Sequence, residues 1–192
     1  MNKLKYILIA ILGVFTLSSC GYNSMVNKQE AVSAQWAQVE NSYQRRADLI
    51  PNLVSTVKGY ASHEQETFTA VTEARSKATQ VTVNPEDLTE ESIQQFQEAQ
   101  GQLSSALGKL LMIRENYPEL KANQNFLALQ DELAGTENRI AVERNRFNEF
   151  ARDYNQYIRR FPHVIYAGWF GFKKKGYFEA DAGAQSAPVV EF

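Results

Sequence analysis

Cysteine is almost absent from this chain of 192 residues, Cys20 being the one example. A single thiol excludes an internal disulfide framework and any zinc site built on cysteine pairs. Histidine is nearly as scarce: His63 and His163 stand far apart and leave little material for a metal centre. Neither charge is in excess, with 20 Lys and Arg against 22 Asp and Glu and a net charge of -2. A nucleic-acid binder usually concentrates positive charge, so no nucleic-acid partner is expected. The nucleophile-elbow, zinc-protease, Walker and dinucleotide-binding signatures are all missing, as are the E-x-x-H pairs of di-iron helical bundles. Glu64 and Glu66 beside His63 read as a solvated helix edge rather than as metal ligands. No catalytic residue, metal site or cofactor is expected, and the chain reads as non-enzymatic.

What is present begins at the N-terminus. Lys3 and Lys5 precede Tyr6 to Leu17, an uncharged run of twelve residues. As a helix that run spans only about 18 Å, short of the ~30 Å hydrocarbon core, so it reads as an export signal. It ends in Leu17-Ser18-Ser19-Cys20, which resembles the lipobox of bacterial lipoproteins. In that class the cysteine thiol takes the lipid, palmitate among its acyl chains, and cleavage leaves this residue first. Residues 1–19 are therefore expected to be a signal peptide and Cys20 the lipidation site. The alternative is an ordinary secretory signal with a cysteine nearby by chance. Several acyl chains, at about 0.8 kcal/mol per buried CH₂, give stable anchoring where one chain does not. Gly21, rather than an acid, after the cysteine favours sorting to the periplasmic side of an outer membrane.

From Ser24 onward the apolar period is helical. Val32, Trp36, Val39, Tyr43, Ala47, Ile50, Val54, Val57 and Ala61 follow one another at steps of three and four. Asn84-Pro85 with Glu86 and Asp87 resembles a helix start, and Phe96, Leu103, Leu107, Leu110 and Ile113 line the next face. From Phe126 to Phe161 a stripe through Leu129, Leu133, Thr136, Ile140, Arg144, Phe147, Ala151, Tyr154 and Ile158 averages about 3.5 residues per step, the coiled-coil value. The expected fold is all-α: an elongated antiparallel up-and-down bundle over residues 20–162. Four helices are expected, with Asp48 capping a new helix at Pro51; three helices with a kink at Pro51 remain the alternative. Residues 163–192 are expected to be an aromatic and basic segment followed by a flexible tail.

Two features are candidate sites. Arg45, Arg46 and Asp48 form either an interaction patch or a group that pairs internally and caps a helix. Arg144, lying on the core stripe, requires a buried carboxylate such as Glu64 or Glu73. Lys173 to Lys175 either touch anionic headgroups or form a solvated turn.

The runs Arg45-Arg46-Ala47-Asp48-Leu49-Ile50-Pro51-Asn52-Leu53-Val54, Lys58-Gly59-Tyr60-Ala61 and Tyr117-Pro118-Glu119-Leu120 resemble the signature of the LemA family. So do Thr136-Glu137-Asn138-Arg139-Ile140-Ala141, Arg144, Asn148, Tyr154-Asn155, Gly171-Phe172 and Tyr177-Phe178. The resemblance covers about residues 22–192. It implies a membrane-attached, extracytoplasmic helical bundle with no catalytic residues to carry over. Relatives usually have an N-terminal transmembrane helix, from which the lipobox departs. The family includes a magnetosome protein, which points to membrane organisation, and its members often adjoin genes for TPM-domain envelope proteins, which points to a partner. The function expected is that of a lipid-anchored envelope scaffold or protein-interaction module; the alternative is a binding module for a small or polymeric envelope ligand.

Overall fold

A computed structural model describes residues 2–179, with side chains from residue 21 onward. The Cys20 side chain and the tail from residue 180 therefore lie outside the described residues. In chain order the helices are α1 (Asn2–Lys58), α2 (Gln65–Gln80), α3 (Glu90–Met112), α4 (Pro118–Lys121), α5 (Gln124–Arg159) and α6 (His163–Ala167). Short 3-10 turns at Pro85–Asp87 and Ile113–Asn116 join α2 to α3 and α3 to α4. Among the described residues there is no strand. The four long helices α1, α2, α3 and α5 run up and down, α1 packing on α5 and α2 on α3. Cross-links between Lys28 and Asp153, Gln35 and Glu143, and Arg45 and Glu132 fix α1 and α5 in antiparallel register.

The count of four helices holds, but the first turn is not at Pro51. Helix α1 passes through Pro51 and ends only where Gly59 and Tyr60 form the turn into α2. A proline inside a helix frees the carbonyl four residues earlier, which here belongs to Ala47. Arg75 of α2 donates its Nε to that carbonyl at 2.8 Å. The neighbouring helix thus repairs the bond that Pro51 removes, and Asp48 has no helix to cap. A second boundary also moves. Asn84 makes no side-chain cap, and α3 starts at Thr89, whose hydroxyl accepts from the Ser92 amide while the Ser92 hydroxyl accepts from the Thr89 amide. This reciprocal pair satisfies two backbone donors that a helix start leaves open.

The core falls into two apolar clusters along the rod. The one nearer Gly21 is aromatic: Trp36 stacks on Phe178 and meets Phe96 and Phe147 edge-on, with centroid distances of 5.2 to 5.8 Å. The one nearer the α1–α2 turn is aliphatic, built from Leu53, Val57, Leu103, Leu107, Leu110 and Leu133 with Phe126. On α5 the expected stripe is buried at most positions, but Arg144 is only half-buried, and Phe161, beyond the end of α5, is 80% exposed.

The segment after Pro162 is not separate from the bundle. Beyond α6, residues 172–179 return along α5 as an extended strap. Asn155 donates to the Lys175 carbonyl and accepts from the Lys175 amide, both at 2.8 Å. Asn148, seven residues earlier and so on the same helix face, does the same for Phe178, at 2.9 and 2.8 Å. Each asparagine thus completes both backbone groups of one strap residue, as a neighbouring β-strand would. Gly176 donates to the Leu88 carbonyl at the start of α3, where an added Cβ would lie 2.7 Å from the Thr89 carbonyl oxygen and the Glu90 Cα. Only glycine permits that approach.

Candidate functional site

Between the two apolar clusters lies a polar layer centred on Arg46. Its place on α1 follows from the helical period: Arg46 stands one turn from Tyr43 and from Ile50, both buried, and is itself only 1% exposed. Its Nη1 donates to the Ser104 hydroxyl at 2.7 Å and to Glu137 Oε1 at 2.8 Å. Its Nη2 donates to the side-chain and backbone oxygens of Gln100, at 2.7 and 3.1 Å. The Tyr43 ring lies 5.1 Å from the guanidinium carbon, a cation–π distance. Gln100 carries the network onward by donating to the Ala78 carbonyl at the end of α2. One guanidinium therefore joins α1, α3 and α5, and through Gln100 also α2. Among the described residues, Arg46 Nε is one of two buried side-chain polar atoms without a hydrogen-bond partner.

The layer opens on a groove of about 220 Å³. Tyr43, Arg46, Gln97, Gln100, Ser104, Glu137 and Arg144 are among the residues lining it. The expected trio separates here. Arg46 is inside, whereas Arg45 is exposed and paired with Glu132 at 3.1 Å, and Asp48 accepts from Gln44 on the same helix at 2.7 Å. The three neither pair with one another nor cap a helix.

Arg144 corrects a second expectation. The buried arginine of this bundle is Arg46, its side chain 2% exposed, paired with a Glu137 side chain that is 42% exposed. Arg144 instead lies over the Phe178 ring and donates to the Glu179 carbonyl at 2.8 Å. Glu64 is in the α1–α2 turn, accepting from the Tyr117 hydroxyl, and Glu73 lines the α2–α3 groove. The buried carboxylate on α5 is Glu143, 4% exposed, which accepts from Gln35 at 2.8 Å and from Arg146 at 3.3 Å. A stripe drawn through Arg144 steps four and then three from Ile140 to Phe147, whereas burial steps three and then four through Glu143; both orders keep the same average period, so the period alone does not choose between them.

Lys175 is a third correction. It lies neither in a solvated turn nor in reach of headgroups: it is 4% exposed, its ammonium donating to the carbonyls of Pro85 and Glu86. Burial pushes its pKa below the usual lysine value, with Asp87 and Glu86 opposing. Burial likewise pushes the Tyr154 phenol up to about 12, while its hydroxyl donates to the Lys173 carbonyl. The strap contacts of Asn148, Asn155 and Gly176 were not legible as contacts, because they join segments 20 to 88 positions apart.

No group of three or more His, Cys, Asp or Glu side chains forms a metal-binding cluster among the described residues. No helix among the described residues is long and apolar enough to cross a membrane.

Fold and site together define a class: an up-and-down bundle of four long helices, pinned by a buried arginine layer and closed by a C-terminal strap. The chain belongs to the LemA family, whose model matches residues 35–192. It is 26% identical to the magnetosome protein MamQ of Magnetospirillum gryphiswaldense over 201 residues, 95% of this chain and 73% of the relative. It is 26% identical to the LemA protein of Metamycoplasma hominis over 164 residues, 84% of this chain and 71% of the relative.

Proposed function

We propose that this LemA-family protein is a non-enzymatic envelope lipoprotein, held by lipid on Cys20 at the extracytoplasmic face of a bacterial membrane and acting as a scaffold for partner proteins. An outer membrane is favoured by Gly21, and a TPM-domain envelope protein is the partner favoured by the family resemblance. The observation that carries this reading is the layout of the rod. The α1–α5 register brings Gly21 level with the end of α5, so α1 from Asn2 to Cys20 extends past the bundle. An anchor at Cys20 would therefore stand at one end, with the α1–α2 turn at the other, about 57 Å away for 38 helical residues at 1.5 Å each. The exposed flank between the two ends, about 36 to 41 Å from Gly21 along α1, carries Arg45, Asp48 and Glu132, the surface proposed for partners. Relatives that are magnetosome proteins support a role in membrane-bound assembly.

The anchor has a direct test. A hydroxyl cannot replace the thiol in acylation, so Cys20→Ser is expected to abolish labelling by an alkyne fatty acid and to accumulate an uncleaved precursor. Normal processing and membrane retention of that variant would refute the lipoprotein reading.

A second reading is favoured by the groove beside Arg46. With Arg46 and Arg144 both on its wall, it suits an anionic group of a small or polymeric envelope ligand. This reading makes the protein a binding module.

A further inference from the structure

The end of the bundle where the anchor emerges is also its most apolar surface. Phe161, Val164, Ile165, Trp169 and Phe170 are 80, 51, 51, 81 and 57% exposed, respectively. They come from α6 and the turns on either side of it, within ten residues. Monomers rarely leave such a group open to water unless something covers it.

Its position is fixed by packing against the first described side chains of α1. An added Cβ on Gly21 would collide with the Tyr166 hydroxyl and the His163 ring. The Tyr22 ring meets Phe170 and Phe172 edge-on, at 5.1 and 5.6 Å. The patch therefore adjoins Cys20 in the chain and lies at the level where α1 leaves the bundle.

Charge indicates what covers it. From Arg159 to Lys175 the sequence has no acidic residue, although the whole chain is acidic by -2. Arg159, Arg160, Lys173 and Lys174, which flank the apolar residues in the chain, are exposed; Lys174 is only loosely paired with Glu90, at 3.7 Å. Exposed aromatics flanked in the chain by exposed cations match the water–lipid boundary. There tryptophan rings lie at headgroup depth, and each cation near an anionic leaflet contributes about 1 kcal/mol. A second copy of the chain would set these four cations against each other.

We infer that this end face, α6 with its flanking turns, seats on the lipid surface that holds the anchor, its aromatic side chains entering the interface and its cations contacting anionic headgroups. The inference rests on the membrane attachment proposed above. It makes the protein a post standing on the bilayer by a defined foot, rather than a bundle hanging from a loose tether. That stance holds the partner surface on α1 and α5 at a set height.

The chain has two tryptophans, which gives a test needing no label. Trp36 is fully buried and stands about 22 Å along α1 from Gly21, at 1.5 Å per residue, so Trp169 alone is within reach of lipid. The full protein, purified from its own membranes, is reconstituted into phosphatidylethanolamine–phosphatidylglycerol vesicles with and without brominated acyl chains. Flotation and tryptophan emission are then read on the same sample. Expected are flotation, a blue shift and loss of about half the emission on brominated lipid, one of two emitters being contacted, with Trp169→Ala removing both optical changes. Flotation without quenching would overturn the seated face and leave the anchor intact. Failure to float would refute the attachment and the face together. Emission already blue-shifted in detergent, with a dimer mass by light scattering, would assign the patch to a second copy and also overturn the inference.

Discussion

Replacing Arg46 with Met is expected to destabilise the bundle by about 2–4 kcal/mol, because it strands the buried oxygens that the guanidinium satisfies. The methionine fills similar volume, so the loss is not one of packing. Four hydrogen bonds disappear, leaving the Gln100 side chain and the Ser104 hydroxyl without their donor between two apolar clusters. Glu137, 42% exposed, turns to water and adds little. Thermal melting followed by circular dichroism should fall by roughly 10 °C for a chain of this size. Arg144→Met, by contrast, removes a half-exposed side chain and should cost within about 1 kcal/mol. Changing Arg46, Gln100 and Glu137 together to apolar residues should recover part of the loss, because the Gln100 side chain is then no longer stranded, although the Ala78 carbonyl loses its donor. Equal melting shifts for Arg46→Met and Arg144→Met would show that the buried Arg46 network is not what holds the helices in register.

The second large effect is expected at Phe178. Its ring stacks 5.8 Å from Trp36 and meets Phe147 edge-on at 5.5 Å, and it is 5% exposed. Phe178→Ala opens a cavity in the aromatic cluster, at a cost of about 3–5 kcal/mol. The strap should also loosen at its C-terminal end, since Phe178 is the side chain that carries it into the aromatic cluster. Limited trypsin digestion should then cut after Lys173 and Lys174 well before the bundle unfolds, and the Trp36 emission should move to the red. Phe170→Ala, at a position 57% exposed, should stay within about 0.5 kcal/mol. Protease resistance of Phe178→Ala equal to that of the parent would mean that the strap is held by something other than this ring.

The helices were legible because burial follows a period that survives in one dimension. Trp36, Leu103, Ile140 and Phe147 stand where a run of steps of three and four places them. Boundaries were less legible where the repair comes from another helix. Pro51 ends a helix by any local rule, and only Arg75, 24 positions later, supplies the donor that lets α1 continue. The polar layer was half visible. An arginine next to the apolar stripe signals a buried pair, but the sequence offers both Arg46 and Arg144, and the right choice depends on which α5 face turns inward. The strap was not visible at all. Its backbone is held by asparagines on a helix it meets only after a turn, and Lys175 looks solvent-loving until two carbonyls surround it. The LemA motif makes physical sense in retrospect, since Arg46, Glu137, Asn148, Asn155 and Phe178 are all engaged inside the molecule. Residues so occupied build a shape, and that favours scaffold over catalyst.

Crosslinking in native membranes tests that claim most directly. A photoreactive side chain placed at exposed Arg45, Asp48 or Glu132 should join the protein to one envelope protein reproducibly, and the same probe on the α2 face around Thr69 should not. The adduct should persist when Arg144, on the groove wall, is changed to Met. Recovery of glycan or lipid in place of a protein neighbour, with loss of that ligand on changing Arg144, would contradict the scaffold and establish the groove as a binding site.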